Sequence, residues 1–288
     1  MQKILKTGLS SNDIEFIKEH KDVSDGYEIQ LFNHSSDLSL FNILENIGVR
    51  IHTIHIDLYK GKAKEDLLKI DRSELDKSQD LTYNAIAGNQ DYLRRLFSIS
   101  EKFNAFIVMH AGYRLDSFHN EEFAVKQIIR WSKEFPNLRI YLENVAQLRL
   151  YYGNKIYNLP EVPTLCNFLN NKCQHDVFYP LLDICHYYQV LSNNIESVPF
   201  SLKEAINMFN SDQFALHFNY GIGDCRGDRH SVNFETNPAL LKELLIYINS
   251  INNNAKLILE ICEKDYINRP DMLKHLEMIK DIEKRLIR

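Results

Sequence analysis

Eight short apolar runs alternate with charged, helix-like stretches along this chain, and the alternation predicts an α/β fold, a closed (β/α)8 barrel of the TIM type. The runs are KILKTGL, YEIQLF, VRIHTIHIDLY, FNAFIVMH, LRIYLEN, FYPLLDICH, FALHFNY and AKLILEIC. A doubly wound open sheet is the alternative, but no Gly-x-Gly-x-x-Gly follows any run, which weakens its dinucleotide-binding form. No linker divides the chain, so we expect one barrel domain over residues 1–288.

The stretches between the apolar runs have the spacing of amphipathic helices. NDIEFIKEH begins with an Asn-Asp cap signal, and EEFAVKQIIRWSKEF repeats apolar residues at intervals of three and four. PALLKELLIYINSI has the same spacing and carries Pro238 near its first turn, where proline is tolerated. Because strand and helix signals alternate, a parallel sheet is favoured over a sandwich.

The composition is that of a globular protein, with 44% hydrophobic and 25% charged residues. No apolar run reaches about 18 residues, and the polar start MQKILKTGLSSNDIEF lacks the apolar core of a secretory signal, so we expect a soluble, cytoplasmic monomer. Five cysteines without paired spacing argue against a disulfide framework and a zinc ribbon. A net charge of -5 does not exclude nucleic acid, since a local basic surface can still bind it.

Side chains of the metal-binding type occur near the ends of predicted strands three to eight. They are His55, His110, Glu143, Asp183, His186, His217, Asp228, His230 and Glu260. Because the carboxyl ends of barrel strands converge on one face, we expect all of them to line one cavity. One histidine in an apolar strand is more often a hydrogen-bonded core residue, but the placement of the whole set is hard to explain by chance.

Five histidines and four carboxylates are more than one tetrahedral ion needs, so the pattern predicts a site for two or three divalent ions. Imidazole and carboxylate together suit zinc, and manganese and iron are the alternatives. A cluster of such ions activates water and stabilises the attacking and leaving oxygens of a phosphoryl displacement.

Four motifs resemble those of the endonuclease IV-type apurinic/apyrimidinic (AP) endonucleases. LDICH is similar to their Asp-Thr-Cys-His strand, CRGDRH to their Asp-Arg-His loop, VMHAG to their His-Pro-Gly segment and YLENVA to their Glu-Asn-Thr-Ala segment. The order and approximate separations agree from about His55 to Glu260. The resemblance implies a zinc-dependent DNA-repair hydrolase in the xylose isomerase-like barrel superfamily.

By position, the resemblance implies up to three zinc ions held by three sets, which are His55, His110 and Glu143; Glu143, Asp183, His217 and Glu260; and His186, Asp228 and His230. A metal-bound hydroxide would then hydrolyse the phosphodiester on the 5′ side of an abasic site in DNA. Glu143 would be the catalytic residue that positions the water.

Arg226 and Arg229 are the candidates for substrate binding, because a guanidinium binds phosphate oxygens through two hydrogen bonds. An ion pair with Asp224 or another nearby acid is the alternative role of either arginine. The slightly better candidate is Arg229.

Two other functions are compatible with the same barrel. A sugar isomerase or epimerase of this superfamily would use one divalent ion at Glu143, Asp183, His217 and Glu260. A barrel that keeps its metal without catalysis would be a nucleic-acid or partner-binding module. The joint presence of the remaining histidines and Asp228 favours the phosphodiesterase.

Overall fold

The computed structural model describes residues 1–31, 37–56, 79–117, 120–145, 156–192, 201–219, 237–261 and 265–286. Within them, eight parallel strands form a closed barrel in which each strand pairs with the next and the eighth pairs with the first. The strands are β1 Gln2–Thr7, β2 Gly26–Gln30, β3 Ile51–His55, β4 Phe106–His110, β5 Ile140–Glu143, β6 Phe178–Asp183, β7 Ala215–His217 and β8 Lys256–Leu259. The predicted (β/α)8 barrel is therefore confirmed.

Helices lie between the strands, as the alternating pattern predicts. Those in the described residues are α1 Ser11–Glu19, α2 Leu40–Ile47, α3 Leu81–Ala87, α4 Gln90–Phe103, α5 Glu121–Glu134, α6 Glu161–Cys173, α7 Ile184–Ser192, α8 Leu202–Phe209, α9 Pro238–Ile251 and α10 Pro270–Leu286. None of these helices combines the length and apolarity needed to cross a membrane.

Local capping fixes where the helices begin. Helix α1 starts after Ser10, whose hydroxyl accepts a hydrogen bond from Asp13 N while the Asp13 carboxylate accepts one from Ser10 N. Helix α9 begins with Pro238, as its pattern predicts, and Asn237 caps it through Leu240 N. These bonds satisfy backbone donors that a helix leaves unpaired at its first turn.

The strands contribute to two main apolar regions, because alternate residues of a strand face opposite sides. The larger region lies between the strands and the surrounding helices. The smaller one consists of Ile4, Phe106, Val108, Tyr141, Leu181, Ala215 and Ile258, which share the inward positions of their strands. This inner cluster fills the barrel beneath the carboxyl ends of the strands, so the barrel is packed rather than open.

Two strand ends differ from the predicted runs. Strand β6 ends at Asp183 and helix α7 begins at the next residue, so Cys185 and His186 lie in a helix and not at the end of the FYPLLDICH strand. The cause is local, since Asp183 Oδ1 accepts a hydrogen bond from His186 N at 2.9 Å and caps the helix. Likewise, Glu260 lies directly after β8 and not within it.

Candidate metal centre

One ionisable side chain from each strand lies at the carboxyl end of the barrel interior. In strand order they are Lys6, Glu28, His55, His110, Glu143, Asp183, His217 and, directly after β8, Glu260. The strand register places neighbours side by side, because His110 pairs with Glu143 and Asp183 pairs with His217. These side chains are almost entirely buried, and even Glu260 is only 15% exposed. The sequence thus builds a charged layer directly above the apolar inner cluster.

Glu143 lies at the middle of this layer. Its Oε1 atom is 3.2 Å from His217 Nδ1 and 3.3 Å from His186 Nδ1. Its Oε2 atom is 3.1 Å from His55 Nε2 and 3.7 Å from His110 Nε2. The two carboxylate oxygens therefore face two different pairs of imidazoles, so Glu143 could contribute one oxygen to each of two ions.

The ring of His217 is oriented by Glu28. His217 Nε2 lies 3.2 Å from Glu28 Oε2, so Nε2 carries the proton that this hydrogen bond requires. The other nitrogen, Nδ1, faces three carboxylate oxygens, Glu260 Oε2 at 2.9 Å, Glu143 Oε1 at 3.2 Å and Asp183 Oδ2 at 3.6 Å. Four such atoms are stable together only around a proton or a cation.

The spacing of these four atoms suits a divalent ion. Their mutual distances are all within 4.8 Å. Ligands about 2.1 Å from a tetrahedral zinc ion are roughly 3.4 Å from one another, which is close to the distances around His217 Nδ1. The donor set of one imidazole and three carboxylates also suits manganese or iron.

The electrostatics of the layer agree with a cation at this position. Burial alone would lower the pKa of His217, but Glu143 and Glu28 outweigh burial and raise it well above its usual value. Burial alone would raise the pKa of Glu28, but His217 and Lys6 outweigh burial and lower it to about 2. The raised pKa favours a proton on His217, and a divalent ion bound at Nδ1 would compete with that proton.

His55 and His110 are ligand candidates on the other side of Glu143. Burial, together with His55 and His186, lowers the pKa of His110 to about 3 although Glu143 opposes the shift. The Nδ1 atom of His110 is buried and has no hydrogen-bond partner in the described part of the chain. His55 Nε2 lies 3.1 Å from Glu143 Oε2, and the side-chain nitrogens of Gln30 and Gln79 lie 3.4 Å and 3.3 Å from His55 Nδ1.

Asn144 holds the β5 and β6 ends of the site together. Its side chain accepts a hydrogen bond from Asp183 N at 2.6 Å and donates one to Asp183 O at 3.2 Å. Its backbone oxygen accepts a hydrogen bond from His186 Nδ1 at 2.8 Å, so Nε2 is the nitrogen of His186 with the lone pair. Asn144 belongs to the YLENVA motif, but nothing in that motif predicts this supporting contact.

The structure brings together most of the predicted ligands. His55, His110, Glu143, Asp183, His186, His217 and Glu260 all lie in one cluster. The groups with the tightest ligand spacing are His55 with Glu143 and His217, and Glu143 with Asp183, His217 and Glu260. Asp228, His230, Arg226 and Arg229 lie outside the described residues, so their predicted roles stay predictions.

Lys6 and Glu28 belong to the same layer but are absent from the predicted site. The ammonium of Lys6 lies 2.7 Å from Glu260 Oε1 and 3.1 Å from Glu28 Oε1. Burial would lower the pKa of Lys6, but Glu260 and Glu28 outweigh burial and raise it. The alternation of residues along a strand indicates that Lys6 faces inward, because Lys6 is two residues after Ile4, which faces inward.

No protein-family model matches the sequence, and no curated protein sequence matches it either. Solved structures do match. An AP endonuclease of family 2 from Brucella melitensis is 12% identical with a TM-score of 0.56, and the match covers 93% of this chain and 96% of that chain. A D-allulose 3-epimerase from Methylomonas sp. is 12% identical with a TM-score of 0.55, covering 99% and 98%. The probable 3-DHS dehydratase AsbF from Bacillus anthracis is 15% identical with a TM-score of 0.52, covering 98% and 99%.

These neighbours are enzymes of different reaction classes, an endonuclease, an epimerase and a dehydratase. At 12 to 15% identity the likeness concerns the fold and does not choose a reaction. This chain therefore has the barrel fold of both AP endonuclease and sugar epimerase structures, with a cluster of side chains at its carboxyl end that can hold a metal ion.

Proposed function

We propose that this protein is a divalent-metal-dependent phosphodiesterase, similar in activity to AP endonucleases, with abasic DNA as its substrate. One observation carries the proposal, namely that one oxygen of Glu143 faces His217 Nδ1 while the other faces His55 Nε2 and His110 Nε2. A carboxylate shared in this way suits two neighbouring ions, and pairs of ions are typical of phosphoryl displacement. A single ion held by Glu143, Asp183, His217 and Glu260 would leave His55 and His110 without a metal to bind.

In this proposal Glu143, Asp183, His217 and Glu260 hold one ion, and His55 and His110 share Glu143 for a second. His186, with Asp228 and His230, is proposed for a third. Zinc is the first candidate, with manganese and iron as alternatives. Bound divalent ions supply an activated water and stabilise the leaving oxygen.

The residues of the chain prepare the site for an anionic substrate only when cations are bound. Glu28, Glu143, Asp183 and Glu260 place four carboxylates in one buried layer, and Lys6 is the fixed positive charge among them. This layer repels a phosphodiester by itself. We therefore expect the metal-free protein to bind abasic DNA much more weakly than the metal-loaded protein, with Arg226 and Arg229 as the proposed phosphate contacts.

The direct test is incision of a duplex oligonucleotide that carries one abasic-site analogue, with added zinc or manganese. Glu143→Gln should abolish incision because the bridging charge is lost, and His110→Asn should reduce it by more than about 100-fold if His110 is a ligand and not a supporting group. His175→Asn is the matched control, since His175 is an exposed histidine hydrogen-bonded to Cys173 O. Absence of incision by the metal-loaded wild type would contradict the proposal.

A single-ion sugar isomerase or epimerase is the second candidate. The observation that favours it is the compact group of Glu143, Asp183, His217 and Glu260, which is complete without any other strand. The same variants separate the two functions, because His110→Asn should leave conversion of a keto-sugar substrate largely intact. Binding of the abasic oligonucleotide without turnover would instead favour the non-catalytic module.

A further inference from the structure

Lys6 occupies an unusual position in the charged layer, between two acids from the neighbouring strands. It pairs in register with Glu28 of β2, and Leu5 beside it pairs with Leu259, the residue before Glu260. Its side chain is 9% exposed, and its ammonium lies 3.1 Å from Glu28 Oε1 and 2.7 Å from Glu260 Oε1. Closure of the barrel between β8 and β1 creates this contact.

The ammonium takes up one oxygen of each acid and leaves the other oxygen for a second contact. Glu260 Oε2 lies 2.9 Å from His217 Nδ1, where the candidate ion site is. Glu28 Oε2 accepts a hydrogen bond from Thr53 Oγ1 at 2.7 Å and lies 3.2 Å from His217 Nε2. Lys6 therefore orients both carboxylates around the same histidine.

A structural ion pair is the simpler interpretation, and buried ion pairs often contribute little to stability. It does not explain why the lysine contacts an acid that also faces His217 Nδ1. An ammonium between two carboxylate oxygens supplies one fixed positive charge where a metal ion would otherwise be favourable. It also keeps Glu28 as the partner of His217 Nε2 and away from the ion.

We propose that Lys6 is a positioning residue that takes the place of one further metal ion between Glu28 and Glu260. The inference rests on the proposed metal centre and limits the number of ions that this centre can hold. Ions bind on the β3 to β8 side of the layer, and the β1 and β2 side keeps its own cation. Lys6 thereby sets how many ions the centre holds and which oxygen of Glu260 faces them.

The test is the number of Mn²⁺ ions bound per chain, counted from the electron paramagnetic resonance of free Mn²⁺ during titration of the full-length protein. Lys6→Met should bind one more ion than the wild type, because Glu28 and Glu260 lose their counter-charge. Lys6→Arg should bind the same number as the wild type, since it restores the charge. An equal number in the wild type and Lys6→Met would overturn the inference.

Lys6→Met leaves two buried acids without their cation, so its folding is measured by circular dichroism with and without Mn²⁺. Recovery of a misfolded Lys6→Met by Mn²⁺ supports the inference, and failure to recover with Mn²⁺ contradicts it. The double variant Lys6→Met/Glu28→Gln removes one of the acids and should return to the wild-type ion number. A wild type that binds no Mn²⁺ or Zn²⁺ contradicts the proposed function as well, and this result is obtained before any variant is made.

Discussion

Two lysines on the inner wall of the barrel have opposite environments. At the carboxyl end, Lys6 lies between Glu28 and Glu260, which raise its pKa although burial opposes the shift. At the amino end, Lys256 donates hydrogen bonds to Tyr141 Oη at 2.9 Å and Gln213 Oε1 at 3.0 Å. Burial and the nearby Arg139 lower the pKa of Lys256 to about 8.

The difference shows that side chains at the amino end of the barrel pack and stabilise the fold, whereas those at the carboxyl end form the candidate metal centre. The amino end is filled by aromatic rings, with Phe106 stacked on Tyr141 at a centroid distance of 4.2 Å and the Lys256 ammonium 4.5 Å from the Phe106 centroid. The carboxyl end carries acids and imidazoles on the same strands, for instance Glu143 two residues after Tyr141. A shift of two residues along a strand therefore changes a packing position into a candidate ligand position.

The largest effect is expected for Asp183→Asn at the carboxyl end. Asparagine keeps the oxygen that caps α7 through His186 N but replaces the oxygen that faces His217 Nδ1 by an amide nitrogen. Calorimetric affinity for Zn²⁺ or Mn²⁺ should fall by more than about 100-fold, beyond the 10- to 100-fold typical of groups that only support a ligand.

The thermal midpoint of metal-free Asp183→Asn should stay within roughly 4 °C of the wild type, because the cap is kept. Asp183→Ala is the companion variant, and it should lose about 1 kcal/mol of stability in addition, since it removes the cap. Unchanged metal affinity in Asp183→Asn would contradict a role of this carboxylate at the centre.

The corresponding change at the amino end is Phe106→Ala. It removes a buried ring from the inner cluster and should lower the free energy of unfolding by about 3–5 kcal/mol in urea titrations. Metal affinity of the folded variant should be unchanged, because the ring lies in the aromatic layer. Phe123→Ala is the matched control, since Phe123 is 54% exposed and should change stability by no more than about 0.5 kcal/mol.

A smaller effect is expected for Glu28→Gln, which weakens the acceptor for His217 Nε2 and removes one neighbour of Lys6. Metal affinity should fall by about 10- to 100-fold, as for other carboxylates that orient a histidine ligand. Glu45→Gln is the control, because Glu45 is an exposed acid paired with Lys102. Equal affinities of the two variants would argue against a role of Glu28 in orienting His217.

The last prediction concerns the pH dependence of Lys256. Its pKa is lowered from 10.5 to about 8 in the folded protein, so between these two pH values the unfolded chain binds a proton that the folded protein does not. Wild-type stability should therefore rise relative to Lys256→Met as the pH rises from 8 to 10.5, by about 2–3 kcal/mol. Urea titrations across this range measure the difference in stability between the wild type and Lys256→Met. A difference that does not change with pH would contradict a lowered pKa of Lys256.

The fold was predictable from the sequence because every apolar run became a strand and each lay in the expected order. The ends of strands were less predictable. The LLDICH stretch is apolar on both sides of Asp183, and an apolar run alone does not distinguish a strand from the first turn of a helix. The hydrogen bond from His186 N to Asp183 Oδ1 caps a helix, and so the strand ends at Asp183.

The candidate site was predictable where ligand-type residues end strands, as at His55, His110 and Glu143. Lys6 and Glu28 were missed because a lysine or glutamate within a strand normally indicates a face in contact with water. Their burial depends on closure of the barrel between β8 and β1, which joins residues more than two hundred positions apart. Such long-range pairing has no signature in a short stretch of sequence.

The direct junction between β6 and α7 has a consequence for how this protein can diversify. Barrel enzymes usually change substrate through insertions in the segments that follow their strands. Here Asp183 ends the strand and caps the helix in one residue, so an insertion before His186 would break the cap and displace a candidate ligand together. Variation in substrate among descendants of this sequence should therefore accumulate after the other strands, while the length of this junction stays constant.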